Sequence, residues 1–300
     1  MVNASTFLTV NSSSSDAQYL TEEFLTPGTF GWIVPTGITR ILVSVVGAGG
    51  SGGCGGGAYY RGGGGGGGAY TEALLDVVAG QTFTVVVGAG GATVESSAGS
   101  LAGNTGGSSS FSGNGTNMVS TGGIGGGGYL VGPNPALGGT ATGGDKNFSG
   151  GNAGAFIDTS NPVTGGGTAG WPGGNGFASP DASGSGYRPG GNFDGLPRPL
   201  MSVPPFEYPG LFGTKPHLIM SNGITHIGDF LGYEDTTGST GICGGKGNFG
   251  SNTTSARAGG IGGGGGGAVA YSSAKKATSG KGGDGMISIT YTDQTPKFTI

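Results

Sequence analysis

Charge is the scarcest commodity in this sequence. Of 300 residues only 9% are Asp, Glu, Lys or Arg, and the net charge is -4 with twelve basic residues spread thinly. Nucleic-acid binding calls for clustered basic side chains, so that class of partner is excluded. No apolar run approaches 18 residues, which predicts no membrane insertion. The first fifteen residues carry neither a basic side chain nor a long apolar core, so no secretory signal is expected and synthesis in a cytoplasm is. Histidine and cysteine number two each. His217 and His226 have no cysteine cluster beside them, and two ordinary loop histidines account for them better than a metal site does. Cys54 and Cys243 each adjoin a glycine pair; they either meet across adjacent segments or stay as reduced, buried thiols, the latter favoured in a reducing compartment. Dispersed serines give no triad spacing. Glu22-Glu23 and Glu234-Asp235 read as solvated pairs rather than as a glycosidase couple. Gly245-Lys246 and Gly280-Lys281 are each followed by glycine, so no Walker A loop exists. No enzyme activity, cofactor or metal is expected.

What the sequence has in abundance is glycine, 77 residues, which with 15 prolines makes almost a third of the chain. Such a composition without a strict collagen period suggests disorder. Low charge beside 34% hydrophobic residues argues for order instead. From Gly49 the chain reads Gly-Gly-Ser, Gly-Gly-Cys, Gly-Gly-Gly, a period of three. That period suits a polyproline-II-like threefold helix made of glycine. Such a helix has no internal hydrogen bonds, so its amides and carbonyls must find partners in neighbouring segments. Several such segments are therefore expected to pack side by side. Gly47 to Gly52 also matches a dinucleotide fingerprint, with Glu72 twenty residues on. A nucleotide site needs a helix to begin there, and more glycine follows, so that reading is set aside.

Along the chain, residues 1–23 read as a polar arm or attachment segment, 24–292 as one glycine-rich domain, and 293–300 as a tail. The predicted fold class is an all-β framework, a small β-sandwich-like sheet, carrying a polyglycine-II helix bundle as an insertion, with little or no α-helix. The framework covers 24–91 and 280–292. Its strands are Ile38 to Val46 with Ile41, Val43 and Val45 on one face, Ala69 to Val78, Gln81 to Val87, and a last one from Gly285 with Ile287, Ile289 and Tyr291. The last strand is expected to complete the sheet begun near Trp32. The insertion, 92–279, shows almost no strand signal. Val-Val-Gly-Ala-Gly-Gly occurs at 45–50 and 86–91, and Gly-Gly-Ile-Gly-Gly-Gly-Gly at 122–128 and 259–265, both marks of architecture. Glycines 167, 170, 173 and 176 keep the period of three, which would stack Thr168, Trp171, Gly174 and Phe177 on one face.

Residues 187–233 differ: glycine thins out, and prolines and large aromatics gather. Tyr187, Phe193, Phe206, Tyr208, Phe212, Phe230 and Tyr233, with His217 and His226, form either a recognition surface or a plug that packs on the bundle or between subunits. Trp171 and Phe177 carry the same two readings.

The framework residues also resemble a known family. Phe24 through Gly53 contains Phe-Leu-Thr-Pro-Gly-Thr-Phe-Gly-Trp-Ile-Val-Pro-Thr-Gly-Ile-Thr-Arg-Ile, a strand, and Gly-Ala-Gly-Gly-Ser-Gly-Gly. Gly-Gly-Ala-Tyr (67–70), Ala-Gly-Gln-Thr-Phe-Thr-Val-Val-Val-Gly-Ala-Gly-Gly (79–91) and Gly-Asp-Gly-Met-Ile-Ser-Ile-Thr-Tyr (283–291) follow in order. This resembles the glycine-rich domain of tail fibre and tail-tip proteins of tailed bacteriophages. The glycine blocks look like the polyglycine bundles of phage receptor-binding adhesins, whose tip loops contact the host. The resemblance implies a non-enzymatic virion protein, a tail fibre or tip adhesin. Its implied partners are other virion proteins and a host receptor, polysaccharide or outer-membrane protein. Homo-oligomers, trimers by the habit of phage fibres, are implied too. The alternative is a purely structural fibre, whisker or decoration subunit whose aromatic stretch makes subunit contacts.

Overall fold

The structure, a computed structural model, describes residues 8–9, 18–56, 60–128, 135–154, 163–179, 244–245, 247–250, 253–272 and 275–293. Within these the protein is all-β, with no helix. The whole 187–233 stretch, Glu234-Asp235 and Cys243 lie outside the described residues.

Two sheets face each other across the main core. One holds β1 (Leu8–Thr9), β2 (Gln18–Phe24), β18 (Met286–Asp293), β4 (Arg40–Val46), β6 (Tyr70–Asp76) and β13 (Lys146–Phe148), in that spatial order. The other runs β12 (Ala141–Thr142), β11 (Thr116–Ser120), β10 (Ser109–Gly113), β7 (Thr82–Val87) and β3 (Gly28–Ile33). Alternation along the strands turns Ile41, Val43, Val45, Ile287 and Ile289 of the first sheet inward, against Phe83, Val85, Phe111 and Met118 of the second. Phe83 and Phe111 stack at 4.6 Å between centroids, and Trp32 reaches across to Tyr291 at 6.2 Å. Aromatic pairs of this kind add to area burial and fix the two sheets in one relation.

Several expectations need correction here. The last strand does not join the sheet containing Trp32; β18 slots between β2 and β4, and Trp32 belongs to the facing sheet. Strand β2 begins at Gln18, inside the segment read as an arm, because Leu20 and Phe24 pack on the core. The stretch after residue 91 is not empty of strand either. β10 and β11 form a hairpin through Asn114 (φ 49°) and Gly115 (φ 83°), the left-handed pair that a tight two-residue turn requires. Glu22 and Glu23 are not a solvated pair. They point to opposite faces of β2, where Tyr291 Oη donates to Glu22 Oε1 at 2.7 Å and Glu23 is buried.

The glycine segments extend from one end of this sandwich and are bonded sideways to one another. Along 47–53, the N–H groups of Gly47, Gly50 and Gly53 donate to Ala69, Gly66 and Gly63. Those of Ala48 and Ser51 donate to Gly107 and Asn104, and those of Gly49 and Gly52 to Gly283 and Gly280. Every third amide thus returns to the same neighbour. Carbonyls of 48–53 accept from Gly123 and Gly126, from Gly91, and from Gly265 and Ala268. Segment 47–53 is therefore surrounded by six others. Segment 62–69 is a second such centre: it donates to 121–127, Gly151 and 262–265, and accepts from 47–53, Gly139 and 164–170.

Further along, short strands continue the same lines. β5 (Cys54–Gly56) pairs with β16 (Ala268–Ala270) in parallel and with β9 (Gly99–Leu101) antiparallel, and β14 (Asn248–Gly250) lies parallel beside β16. β15 (Thr254–Ser255), β17 (Ala277–Thr278) and β8 (Glu95–Ser96) make a three-stranded sheet.

Glycine is required for this spacing. A Cβ on Gly49 would overlap the Gly263 carbonyl, and one on Gly50 the Ile124 carbonyl. Ala48, Ser51 and Cys54 take the third position of this period, with their backbones beside Gly107, Asn104 and Leu101. There Ser51 Oγ accepts the Asn104 backbone N–H at 2.8 Å. We expect Gly50→Ala to lower unfolding free energy by about 3 kcal/mol or more, the upper range for overpacking a dense interior. Ser51→Ala should cost about 1–3 kcal/mol, because it strands the Asn104 N–H. Chemical denaturation of the two variants checks both the sizes and the order.

Candidate functional site

Segment direction defines where a functional surface can be built. The chain leaves the sandwich after β4 through 47–56 and returns through 62–69 into β6. It leaves after β7 through 88–96 and returns through 99–108 into β10. The same excursion recurs through 121–128 and 135–140, between β11 and β12, and again outward from β13 through 149–154 and inward through 163–171. The last goes out through 262–270 and back through 275–285 into β18. The outer ends are aligned: Gly62 bridges both Gly128 and Val163, and Gly56 sits opposite Gly99 and Ala270. The described outer ends of these excursions therefore lie at one end of the bundle, opposite the sandwich.

Among the described residues, that end carries Tyr60 and Arg61, both half-buried, with Ser97, Ala98, Leu101, Tyr271 and Ser272 exposed. The Cβ of Tyr60 lies where a Cβ on Gly55 would come within 2.6 Å, so Gly55 makes the room that Tyr60 occupies. Partial burial of Tyr271 raises its phenol pKa. Composition did not pick out these residues, since each is a single side chain between glycine blocks. The readable signal was strand polarity: each outward glycine run must be followed by a return, and the residues between mark the tip.

The two described residues predicted as site members lie elsewhere. Trp171 is buried, and its turn is at the sandwich end, where Gly170 donates to the Gly68 carbonyl. The expected stack of Thr168, Trp171, Gly174 and Phe177 on one rod does not form. Trp171 and Gly174 exchange backbone hydrogen bonds at 3.0 Å, closing a turn through Pro172-Gly173, and the chain reverses. Phe177 then comes back alongside Thr168, donating its N–H to Thr168 Oγ1 at 2.7 Å. Proline followed by glycine is a turn signal that outweighs a glycine period. Tyr187, Phe193, Phe206, Tyr208, Phe212, His217, His226, Phe230 and Tyr233 are outside the described residues.

Other polar groups are occupied structurally. Glu72 is buried, yet Tyr70 Oη donates to its Oε2 at 2.6 Å and Lys146 Nζ lies 3.1 Å from its Oε1. This clamps β13 onto β6. Lys281 and Asp284 pair on the outer side of 279–285, and Asp284 Oδ1 also accepts the Gly90 N–H. Among the described residues no three His, Cys, Asp or Glu side chains gather as a metal site would need. No helix among them is long and apolar enough to cross a membrane. After Val46 the fingerprint-like Gly47 to Gly52 runs on as a laterally bonded segment, with no helix N-terminus for a pyrophosphate.

Cys54 is fully buried, and burial first, then the Glu95 charge, pushes its thiol from 9.0 up to about 11. Between those values the unfolded chain releases the thiol proton while the folded chain holds it. Stability is therefore intact below about pH 9 and falls as pH rises towards 11. Cys54→Ala should fall less steeply over that window, as read from denaturation midpoints at a series of pH values.

Comparison with curated proteins gives no significant match. A family model does match, described as a glycine-rich domain and spanning residues 25–292. That span takes in the sandwich apart from β1 and β2, together with the glycine segments, and the chain belongs to the glycine-rich domain family.

Proposed function

We propose that this chain is a non-enzymatic virion protein of a tailed phage, a tail fibre or tail-tip adhesin. On this reading its glycine segments are threefold polyglycine helices, packed as a rigid rod that holds recognition loops away from the sandwich. The observation that carries the reading is the common polarity of the excursions. Outward and returning runs are bonded to each other along their length, so their described outer ends are gathered at one end on a stiff base. Rigid presentation lowers the entropy lost when loops bind a surface, which is the general advantage of preorganisation. The repeat of donors to the same neighbour at every third residue supports a threefold chain, since three residues per turn returns each face at that interval.

The host surface is the proposed partner, engaged by the tip and by the 187–233 stretch with its aromatic side chains. Polysaccharide and outer-membrane protein are the two receptor chemistries expected; aromatic faces suit the first, and a mixed aromatic and polar rim the second.

Amide hydrogen exchange tests the rod. Peptides covering 47–53, 62–69 and 262–267 are expected to exchange as slowly as β4 and β18, and random-coil rates there would sink the model. Deletion of 194–232 tests recognition. Lost binding to host cells with an intact fold and assembly supports an adhesin. Failure of assembly with no change in cell binding supports the structural-subunit alternative instead.

A further inference from the structure

The two sheets protect their edges unequally. β1 and β12 are two residues long, and β13 carries Lys146, both common ways of blunting an edge. β3 is different: Gly28-Thr29-Phe30-Gly31-Trp32-Ile33 is six residues long, holds no charge and no proline, and among the described residues pairs only with β7. Just past its end, the Val34 N–H donates to the Gln81 carbonyl at 2.9 Å, in the same register as the β3–β7 ladder. Bonded and non-bonded pairs alternate in an antiparallel ladder. Gly28, Phe30 and Trp32 are thus bonded to β7. The N–H and C=O groups of Thr29, Gly31 and Ile33 face the open edge.

The side chains tell the same story. Phe30 and Trp32 pack on the core, whereas Thr29 is exposed and Ile33 is 61% exposed. An added Cβ at Gly31 would meet nothing within 4 Å. Val78, the other highly exposed aliphatic, is in the turn that Gly80 ties to the Val34 carbonyl.

We propose that β3 is a self-association edge, pairing antiparallel with β3 of a second copy about a two-fold axis at Gly31. The occupant follows from the strand's own chemistry. Antiparallel self-pairing about Gly31 sets that residue opposite itself and every other residue opposite its mirror position, so a charge on the axis, or like charges at two mirror positions, would repel. This strand has none. With Gly31 on the axis, Thr29 lies opposite Ile33 of the other copy, a β-branched pair that suits an extended ladder. The two five-stranded sheets become one continuous ten-stranded sheet. A pairing of five residues, 29–33, buries less surface than a standard stable interface, so the dimer is weak in dilute solution and forms where copies are concentrated, as on an assembly. It is independent of the host-binding reading and uses the sandwich rather than the tip.

Sedimentation velocity on the full chain, over about a hundredfold range reaching high micromolar, reads the association. Wild type is expected to shift from monomer to dimer across that range. Gly31→Lys should stay monomeric throughout, and Gly31→Val should dimerise at least as well as wild type, because it enlarges the β-branched contact without charge. If Gly31→Lys fails to fold, the double variant Thr29→Lys/Ile33→Lys gives the same reading from side chains already in water, since each lysine then faces the other across the pairing. A wild type that remains monomeric at every concentration would overturn the proposal. So would a lysine variant that associates as wild type does, as a dimer or as a trimer.

Discussion

Everything beyond the sandwich depends on one constraint, the lateral hydrogen bonding of glycine backbones at a spacing that excludes Cβ atoms. A segment such as 47–53 satisfies its amides and carbonyls with six neighbours, and none of those bonds is local. Glycine loses more freedom on folding than other residues, so a run of it cannot hold an extended shape alone. The bundle is stable only as a set. Removing one segment strands donors and acceptors on several others, and buried groups left so cost more than a typical bond contributes.

That interdependence explains the role of the sandwich. Strands β4, β7 and β11 lead directly into outgoing segments, and β6, β10, β12 and β18 receive returning ones. Sheet order fixes which segments start side by side, and register fixes their relative height, since a glycine face offers few side chains to set either. The repeated Val-Val-Gly-Ala-Gly-Gly shows this at work. Its two copies end β4 and β7, in opposite sheets, and the segments they launch run parallel, with the Gly91 N–H on the Gly49 carbonyl. The other repeat behaves differently. At 122–128 Gly-Gly-Ile-Gly-Gly-Gly-Gly runs straight outward, whereas at 259–265 the same seven residues turn at Gly260 to Gly263, through Gly262 at φ 63°. Position within the bundle, not local sequence, chooses between them.

This sets the limit of what was legible. Alternating aliphatic runs gave β4, β7 and β18 almost to the residue, because one face of each is buried against a core and the period of two is strong. Period-three glycine pointed to segments paired with neighbours rather than to a loop. The β10–β11 hairpin was hidden because serine and asparagine occupy half of its positions, and only Phe111 and Met118 mark the core face. Asn114-Gly115 was its readable sign. The reversal at Trp171 was hidden by the glycine period running through it, although Pro172-Gly173 marks the turn. The tip residues Tyr60, Leu101 and Tyr271 stood out only after the direction of each segment was known.

The same geometry explains why so little charge suffices. Inner segments have no face open to water, while a rim segment exposes roughly one residue in three. Those outward positions carry the larger side chains: Ile124 on 121–128, Leu137 on 135–140, and Lys281 with Asp284 on 279–285. Substitution there leaves the ladder untouched, because neither neighbour's carbonyl lies in that direction. Connectors are freer still. The bonds that hold a segment close below its outer end, as Cys54–Leu101 and Gly62–Gly128 do. Loop closure costs grow only slowly with length, so a long insertion at the tip adds little burden to a base already locked. A fold built this way separates two demands that compete in most domains. The glycine interior sets stability and tolerates almost no change, and the tip accepts change in sequence and length without reaching that interior.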